Sequence, residues 1–275
     1  MPRYRYERFA KSCTIICSLL LLVSAALGQS MSPDALYERG MDAVTGVGAS
    51  HNEQAGLDYF KQSAELGYGP SQIALGYYYE TGTIVTGSQG QPSLDLYKKA
   101  AQQGDPLAAW LAGRRYYLGN NVPRDLDAAR KYLKMAADQN NAFGAYYLGR
   151  LMADRDPAKA PALYKIAAEQ GLPQAQYLYG KALKDGKGIA KDLAQAYVWL
   201  TVSADANYSL AGPELAELHT SGALSLEQIN EARTKAHELE QTVIRAVTAR
   251  GCSGWNGEFD ELPTPPPPSL QRFCH

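Results

Sequence analysis

The feature that most constrains the fold is a helix–turn–helix pattern that recurs along the chain. One clear copy spans residues 105–140, where Gly113 lies in the first helical stretch and Gly119 in the turn. When the glycine of each first helix is aligned, six units fall into register at intervals of 36, 37, 36, 31 and 36 residues. The aligned residues are Gly40, Gly76, Gly113, Gly149, Gly180 and Ala216. Repeats of this length are typical of stacked helical arrays, in which each unit buries its apolar face against its neighbours.

Other columns of the alignment predict how the helices pack and end. The first helix is expected to end six residues after the aligned position, at a glycine in every unit except the shortened one, which has Arg155. Each second helix carries one bulky residue ahead of a small pair. These bulky residues are Phe60, Tyr97, Leu133, Tyr164 and Leu200. The starts of the second helices are expected at capping side chains: Asn52, Asp125, Asp156 and Asp192. Since no stretch has the period of a strand, the sequence predicts an all-α fold.

Units such as AAWLAGRRYYLGNNVPRDLDAARKYLKMAADQN resemble Sel1-like repeats, which are relatives of the tetratricopeptide repeat. The resemblance covers about residues 34–220. It implies a right-handed α-solenoid of stacked antiparallel helix pairs, with five to six repeats over residues 31–224. A longer helix over 225–250 is expected to cap the array, and Ser225 with Gln228 forms the sequence pattern of a capping box at its start.

Residues 1–28 have the pattern of a secretory signal peptide. A basic segment precedes an apolar run from about Thr14 to Val23, and Ala26-Leu27-Gly28 offers a cleavage site before Gln29. The alternative is an uncleaved anchor, but the run is shorter than the roughly 20 residues of a spanning helix. Neither Cys13 nor Cys17 has the context of a lipoprotein signal. The sequence therefore predicts a periplasmic or secreted protein with no stable membrane span after cleavage.

The C-terminal stretch, residues 251–275, is rich in proline and differs from the repeats. It contains Cys252 and Cys274, the two cysteines that remain after cleavage of the signal. An even pair in an oxidising compartment predicts one disulfide. The closed loop is expected to fold back so that Trp255 and Phe259 cover the last helix, and the alternative is a free loop that binds a protein.

Charge and motifs argue against nucleic-acid binding and against catalysis. Without residues 1–28 the chain keeps 23 of its 27 basic and 27 of its 28 acidic side chains, a net charge of about −4. The four histidines are scattered, and no metal or cofactor motif is present. Secreted members of the resembled family have been discussed as β-lactam binders or hydrolases, but the SxxK nucleophile pattern is missing here. The prediction is a protein that is not an enzyme.

In tetratricopeptide-like stacks the inner groove is lined by first-helix residues, including those one and four places after the aligned position. The resemblance thus defines two groove columns. The first column holds Met41, Tyr77, Arg114, Arg150, Lys181 and Glu217, and the second holds Val44, Glu80, Tyr117, Ala153, Lys184 and Thr220. Three successive units place a cation in the first column, near tyrosines. The predicted partner-binding residues are Tyr77, Arg114, Tyr117, Arg150, Lys181 and Lys184.

These columns suit the carboxylates of an acidic protein or peptide, because arginine offers bidentate hydrogen bonds and stacks on aromatic rings. The alternative for the same residues is an ordinary solvated face. The sequence therefore predicts an exported scaffold or adaptor for protein–protein interaction, acting in envelope signalling or surface assembly. Two alternatives stay open: an envelope enzyme or small-ligand binder acting on cell-wall fragments or β-lactams, and a purely structural spacer. The sequence does not predict the partner or the oligomeric state.

Overall fold

A computed structural model of the chain describes residues 31–48, 50–84 and 90–249. All secondary structure in these ranges is helical, in twelve α-helices. The helices are α1 Pro33–Thr45, α2 Glu53–Glu65, α3 Gly69–Glu80, α4 Gly90–Gln102, α5 Pro106–Leu118, α6 Leu126–Asp138, α7 Ala142–Met152, α8 Ala160–Glu169, α9 Pro173–Asp185, α10 Leu193–Asp205, α11 Ala211–Thr220 and α12 Leu226–Ala249. The predicted signal peptide and the predicted disulfide between Cys252 and Cys274 lie outside the described residues and stay predictions.

The helices pack as consecutive pairs, α1 with α2 through α9 with α10. Each second helix also packs against the first helix of the next pair, so the pairs stack into one array. Both α11 and α12 pack against α10 at the C-terminal end. The predicted all-α fold of stacked helix pairs is confirmed. Within the described ranges, no helix combines the length and the apolar character needed to cross a membrane.

The aligned glycines mark the closest approach between the two helices of each pair. A Cβ atom placed on Gly76 would lie 2.5 Å from Cε1 of Tyr97, and one on Gly113 would lie 2.7 Å from Cγ of Leu133. The aligned glycines of the other three pairs face Phe60, Tyr164 and Leu200 in the same way. The glycine column and the bulky column of the sequence therefore form one contact, repeated in every pair. In α11 the column holds Ala216, which is exposed.

Unit four, which consists of α7 and α8, departs from the predicted pattern of helix caps. Asn52, Asp125 and Asp192 cap their helices as expected, through side chains that accept backbone amide hydrogens. The predicted cap at Asp156 is wrong, because α8 begins only at Ala160. A turn in which the Lys159 amide donates to the Asp156 carbonyl (3.0 Å) occupies the intervening residues. Pro161 then lies in the first turn of α8, where a residue without an amide hydrogen is tolerated.

The last helix starts at the capping box that the sequence predicts. The Ser225 amide donates to Oε1 of Gln228 at 2.9 Å, and the Gln228 amide donates to Oγ of Ser225 at 3.2 Å. The side of α12 that carries Ile229, Ala232 and Ala236 is buried. Most of its remaining described surface is exposed, so α12 covers the end of the array with one face.

Candidate functional site

The two groove columns meet between successive first helices. The second-column residue of one unit contacts the first-column residue of the next in three places. These contacts are the ion pair of Glu80 with Arg114, the stacking of Tyr117 with Arg150 and the ion pair of Lys184 with Glu217. We call this row of contacts the ladder. Between units four and five the corresponding residues are Ala153 and Lys181, and the ladder has a gap there, because a methyl group cannot reach across.

The exposed cation expected at Arg114 is instead part of a buried charge cluster. Its side chain is 1% exposed and donates to Oε1 of Glu80. Arg115 is equally enclosed, and its Nη1 lies 3.3 Å from the same carboxylate oxygen. The hydroxyl of Tyr97 donates to Oε2 of Glu80 at 2.9 Å. Because buried charges must be paired, this cluster holds unit two against unit three and does not present Arg114 to a partner.

Arg150 is the exposed arginine of the ladder. Its guanidinium carbon lies 5.9 Å from the centre of the Tyr117 ring and 5.7 Å from that of the Tyr146 ring. Its Nη1 donates to the Tyr146 hydroxyl at 3.4 Å. No carboxylate among the described residues forms an ion pair with it. A guanidinium group oriented by two aromatic rings, with its charge not neutralised by these residues, is suited to bind a carboxylate.

Lys181 and Lys184 join α9 to α11. The Lys181 ammonium lies 2.8 Å from Oε1 of Glu214 and 3.3 Å from Asp185. Lys184 contacts Oε2 of Glu214 and lies 2.6 Å from Oε2 of Glu217. The side chain of Lys181 is 38% exposed, whereas that of Lys184 is 11% exposed. Both predicted binding cations therefore have acidic partners of their own, and Lys181 keeps the larger accessible part.

The ion pairs of Glu214 with Lys181 and Lys184 attach α11 to α9, and we expect this attachment to weaken at acidic pH. Burial alone would raise the pKa of Glu214, but the hydrogen bonds from Lys181 and Lys184 outweigh it and hold the pKa below the ordinary 4.5. The native carboxylate thus contributes stability above about pH 4.5, and this contribution is lost as pH falls through the lowered native pKa. We expect Glu214→Gln to destabilise the protein by about 1 kcal/mol at pH 7 and by less at pH 3. Thermal unfolding followed by circular dichroism at both pH values measures this.

The matched control is Glu227→Gln, which removes an exposed carboxylate from the first turn of α12. Its unfolding temperature should fall less at pH 7 than that of Glu214→Gln, because an exposed carboxylate in a first helical turn contributes only a few tenths of a kcal/mol. If Glu214→Gln lowered the unfolding temperature no more than Glu227→Gln at pH 7, or equally at pH 7 and at pH 3, the stabilising role assigned to Glu214 would be wrong.

Sequence reasoning missed two contributors to the ladder and its surroundings. Tyr146 lies one turn before Arg150 on α7, so its spacing of four residues was the available signal. Glu214 lies on α11 three residues before Glu217. Its ion pair with Lys181 joins two neighbouring units, and the sequence of a single repeat cannot indicate such a contact.

Tyr77 is half-buried and packs edge-on against Tyr78, with ring centres 5.8 Å apart. In the described part of the chain, no group of three or more His, Cys, Asp or Glu side chains is placed to hold a metal ion.

Five segments of the chain match the Sel1 repeat family, at residues 33–68, 69–105, 106–141, 143–172 and 173–208. Together they cover more than half of the sequence, and the chain belongs to the Sel1 repeat family. The shortest segment is unit four, where the ladder has its gap. The resemblance inferred from the repeat columns is confirmed.

The chain is similar in sequence to two named proteins and in fold to a solved structure. The chain is 37% identical over 100 residues to the alginate biosynthesis protein AlgK of Azotobacter vinelandii, covering 34% of this chain and 21% of AlgK. It is 30% identical over 148 residues to the chitin synthase regulator SKT5 of Saccharomyces cerevisiae, covering 54% of this chain and 17% of SKT5. The chain therefore spans about a fifth of the length of these relatives. A protective antigen of uropathogenic Escherichia coli shares the fold, with a TM-score of 0.64 at 22% identity, over 89% of this chain and 52% of that protein.

Proposed function

We propose that this chain is an exported, non-catalytic adaptor that binds an acidic segment of a partner protein along the ladder. The observation that carries the proposal is Arg150, an exposed guanidinium group between Tyr117 and Tyr146 without a carboxylate partner among the described residues. Arginine and tyrosine are enriched among the residues that contribute most binding energy in protein interfaces. The rings fix the orientation of the guanidinium group, so less side-chain entropy is lost when a carboxylate binds.

The proposed binding surface extends along the first helices on both sides of Arg150. Tyr77 and Tyr117 offer partly exposed rings towards the N-terminal end, and Lys181 offers a partly exposed ammonium group towards the C-terminal end. Arg114 supports this surface from inside through its ion pair with Glu80. Lys184 acts mainly as a bond between α9 and α11.

The comparisons support an adaptor in general terms. Sel1 repeats form most of the chain, and one relative is by name a regulator of an enzyme, chitin synthase. The other relative is by name a protein of alginate biosynthesis in a bacterium. Together with the signal peptide predicted at residues 1–28, these names favour a partner in the cell envelope, where the adaptor would organise or regulate another protein.

Arg150→Glu is expected to reduce capture of the partner at least about tenfold, because the new carboxylate repels an acidic segment and removes the cation that binds it. Capture is measured by cross-linking the exported protein in its native envelope and quantifying the recovered proteins by mass spectrometry. Arg39→Glu is the matched control. It reverses an exposed charge on α1, outside both groove columns, and Arg39 forms no ion pair among the described residues.

Circular dichroism must show that both variants are folded before capture is compared. A protein recovered with the wild type and the Arg39→Glu variant, and lost with Arg150→Glu, identifies the partner. Equal recovery with all three forms would place the binding site elsewhere on the chain.

A further inference from the structure

The gap in the ladder is the mouth of a cavity. A space of about 170 Å³ lies between the C-terminal ends of α7 and α9 and the first turns of α8. Its apolar lining includes Ala153, Pro161, Tyr164, Leu178 and Ala182. At three other junctions the two ladder side chains contact each other, but here the Ala153 side chain is a single methyl group and Lys181 is turned to Glu214 and Asp185.

The shortened unit four forms this cavity, and backbone packing fixes its walls. Because α7 ends at Met152 and α8 begins only at Ala160, the connection between them runs along one side of the space. The loop after α9 closes against that connection. A Cβ atom placed on Gly188 would lie 1.8 Å from the carbonyl oxygen of Pro157. This close approach leaves no room for a side chain at position 188 itself.

The size and lining of the cavity indicate what it can hold. Pockets for drug-sized ligands usually have volumes of about 300–1,000 Å³, so this space suits a single side chain better than a whole small molecule. Its mostly apolar wall favours an aliphatic group over a polar one. The charged lining residues are Lys181, Asp185 and Lys187, and the first two pair with each other at 3.3 Å. Two further charges concern a ligand: Lys187, and Arg150, which lies one turn before Ala153 on α7. Neither has a carboxylate partner among the described residues.

We infer that this cavity holds one aliphatic side chain, of valine, leucine or isoleucine, from an acidic segment whose carboxylates bind Arg150 and Lys187. The inference rests on the proposed function and specifies the ligand, an aliphatic residue between acidic ones. Ala153 follows Arg150 by three residues at the end of α7, a spacing that places side chains about 5–6 Å apart. One carboxylate at Arg150 and the next side chain in the cavity are therefore compatible with neighbouring residues of one peptide.

The test uses four fluorescein-labelled peptides with the sequence Gly-Glu-X-Glu-Gly, where X is glycine, valine, leucine or tryptophan. Binding to the full chain is measured by fluorescence anisotropy. We expect the valine and leucine peptides to bind at least about tenfold more tightly than the glycine peptide. The tryptophan peptide should gain less than the leucine peptide, because its rigid indole ring would have to fill nearly the whole space of about 170 Å³. Arg150→Glu should weaken the binding of all four peptides.

Ala153→Leu fills the cavity from inside the protein and should abolish the preference for valine and leucine, while affinity for the glycine peptide stays the same. Ala153→Met, with a more flexible side chain, is the second variant if the leucine is poorly tolerated. The matched control is Thr220→Leu, which places the same side chain in the same column of the last unit, where it is exposed. This variant should keep the preference for valine and leucine.

The outcomes separate the two proposals. A leucine preference that persists in both Ala153 variants, or equal binding of all four peptides to the wild type, overturns the cavity proposal but leaves binding at Arg150 in place. If no peptide binds, the proposed function fails for this ligand class, and methyl NMR decides on the cavity. Shifts of the Ala153 and Ala182 methyl signals with N-acetyl-leucinamide, but not with N-acetyl-glycinamide, would support the cavity. Their absence would overturn it.

Discussion

Glu80→Gln is expected to lower the free energy of unfolding by about 3–5 kcal/mol, because it leaves two buried guanidinium groups without the carboxylate that both contact. The exposed fractions of Arg114 and Arg115 are only 1% and 4%. Glutamine keeps the shape of the side chain and can still accept the hydrogen bond from Tyr97. The loss of stability therefore measures the contribution of the negative charge. Urea unfolding followed by circular dichroism measures the change.

Stacked arrays can unfold in parts, so hydrogen exchange should accompany the urea experiment. The loss of protection should be largest in α3, α4 and α5, which carry the cluster. Glu65→Gln is the control, since it removes an exposed carboxylate at the end of α2. A destabilisation of less than about 1 kcal/mol by Glu80→Gln would contradict the role assigned to the cluster.

Gly188→Ala is expected to destabilise the protein by about 2–4 kcal/mol for two reasons that act together. The residue has a φ of +73°, which a residue with a Cβ atom adopts only with strain, and that Cβ would lie 1.8 Å from the Pro157 carbonyl oxygen. Relief requires the loop after α9 to move away from the connection between α7 and α8. The same urea experiment measures the loss of stability, and hydrogen exchange should locate it at the junction of units four and five.

Gly212→Ala is the matched control for this substitution. Gly212 lies in α11, and no atom lies within 4 Å of the position its Cβ would take, so alanine should be neutral or slightly stabilising there. Equal stability of the Gly188→Ala and Gly212→Ala variants would show that the loop is not fixed against Pro157.

The architecture could be predicted from sequence because it repeats. A column of the alignment is a reliable signal only when several units share it, and the contact of Gly76 with Tyr97 has an equivalent in every pair, with a shorter spacing only in unit four. Unit four broke the pattern and was predicted less well. There, Asp156 followed by Pro157 had the sequence pattern of a helix start, whereas the helix begins in the structure one turn later, beside Pro161.

The candidate site was predicted only in outline. A column of the alignment indicates which face of the helix a residue lies on, but not which side chain it contacts on the neighbouring unit. Arg114, Arg150 and Lys181 occupy equivalent positions, yet one is a buried ion pair, one is stacked between tyrosines and one is bound to Glu214. The difference comes from the residue that each meets on the neighbouring unit. Glu80 meets Arg114, whereas Tyr117 meets Arg150 and does not neutralise its charge. Such pairing becomes visible only when the units are stacked.

Site-specific photocross-linking tests most directly whether a partner binds along the ladder beside Arg150. A p-benzoylphenylalanine residue would replace Asp154, an exposed position one turn after Arg150, and in a second protein Lys134, an exposed position on the second helix α6. Irradiation in the native envelope should give a covalent adduct with the partner from position 154 and none from position 134. Adducts from position 134 alone would contradict binding at the ladder and place the partner on the opposite face of the array.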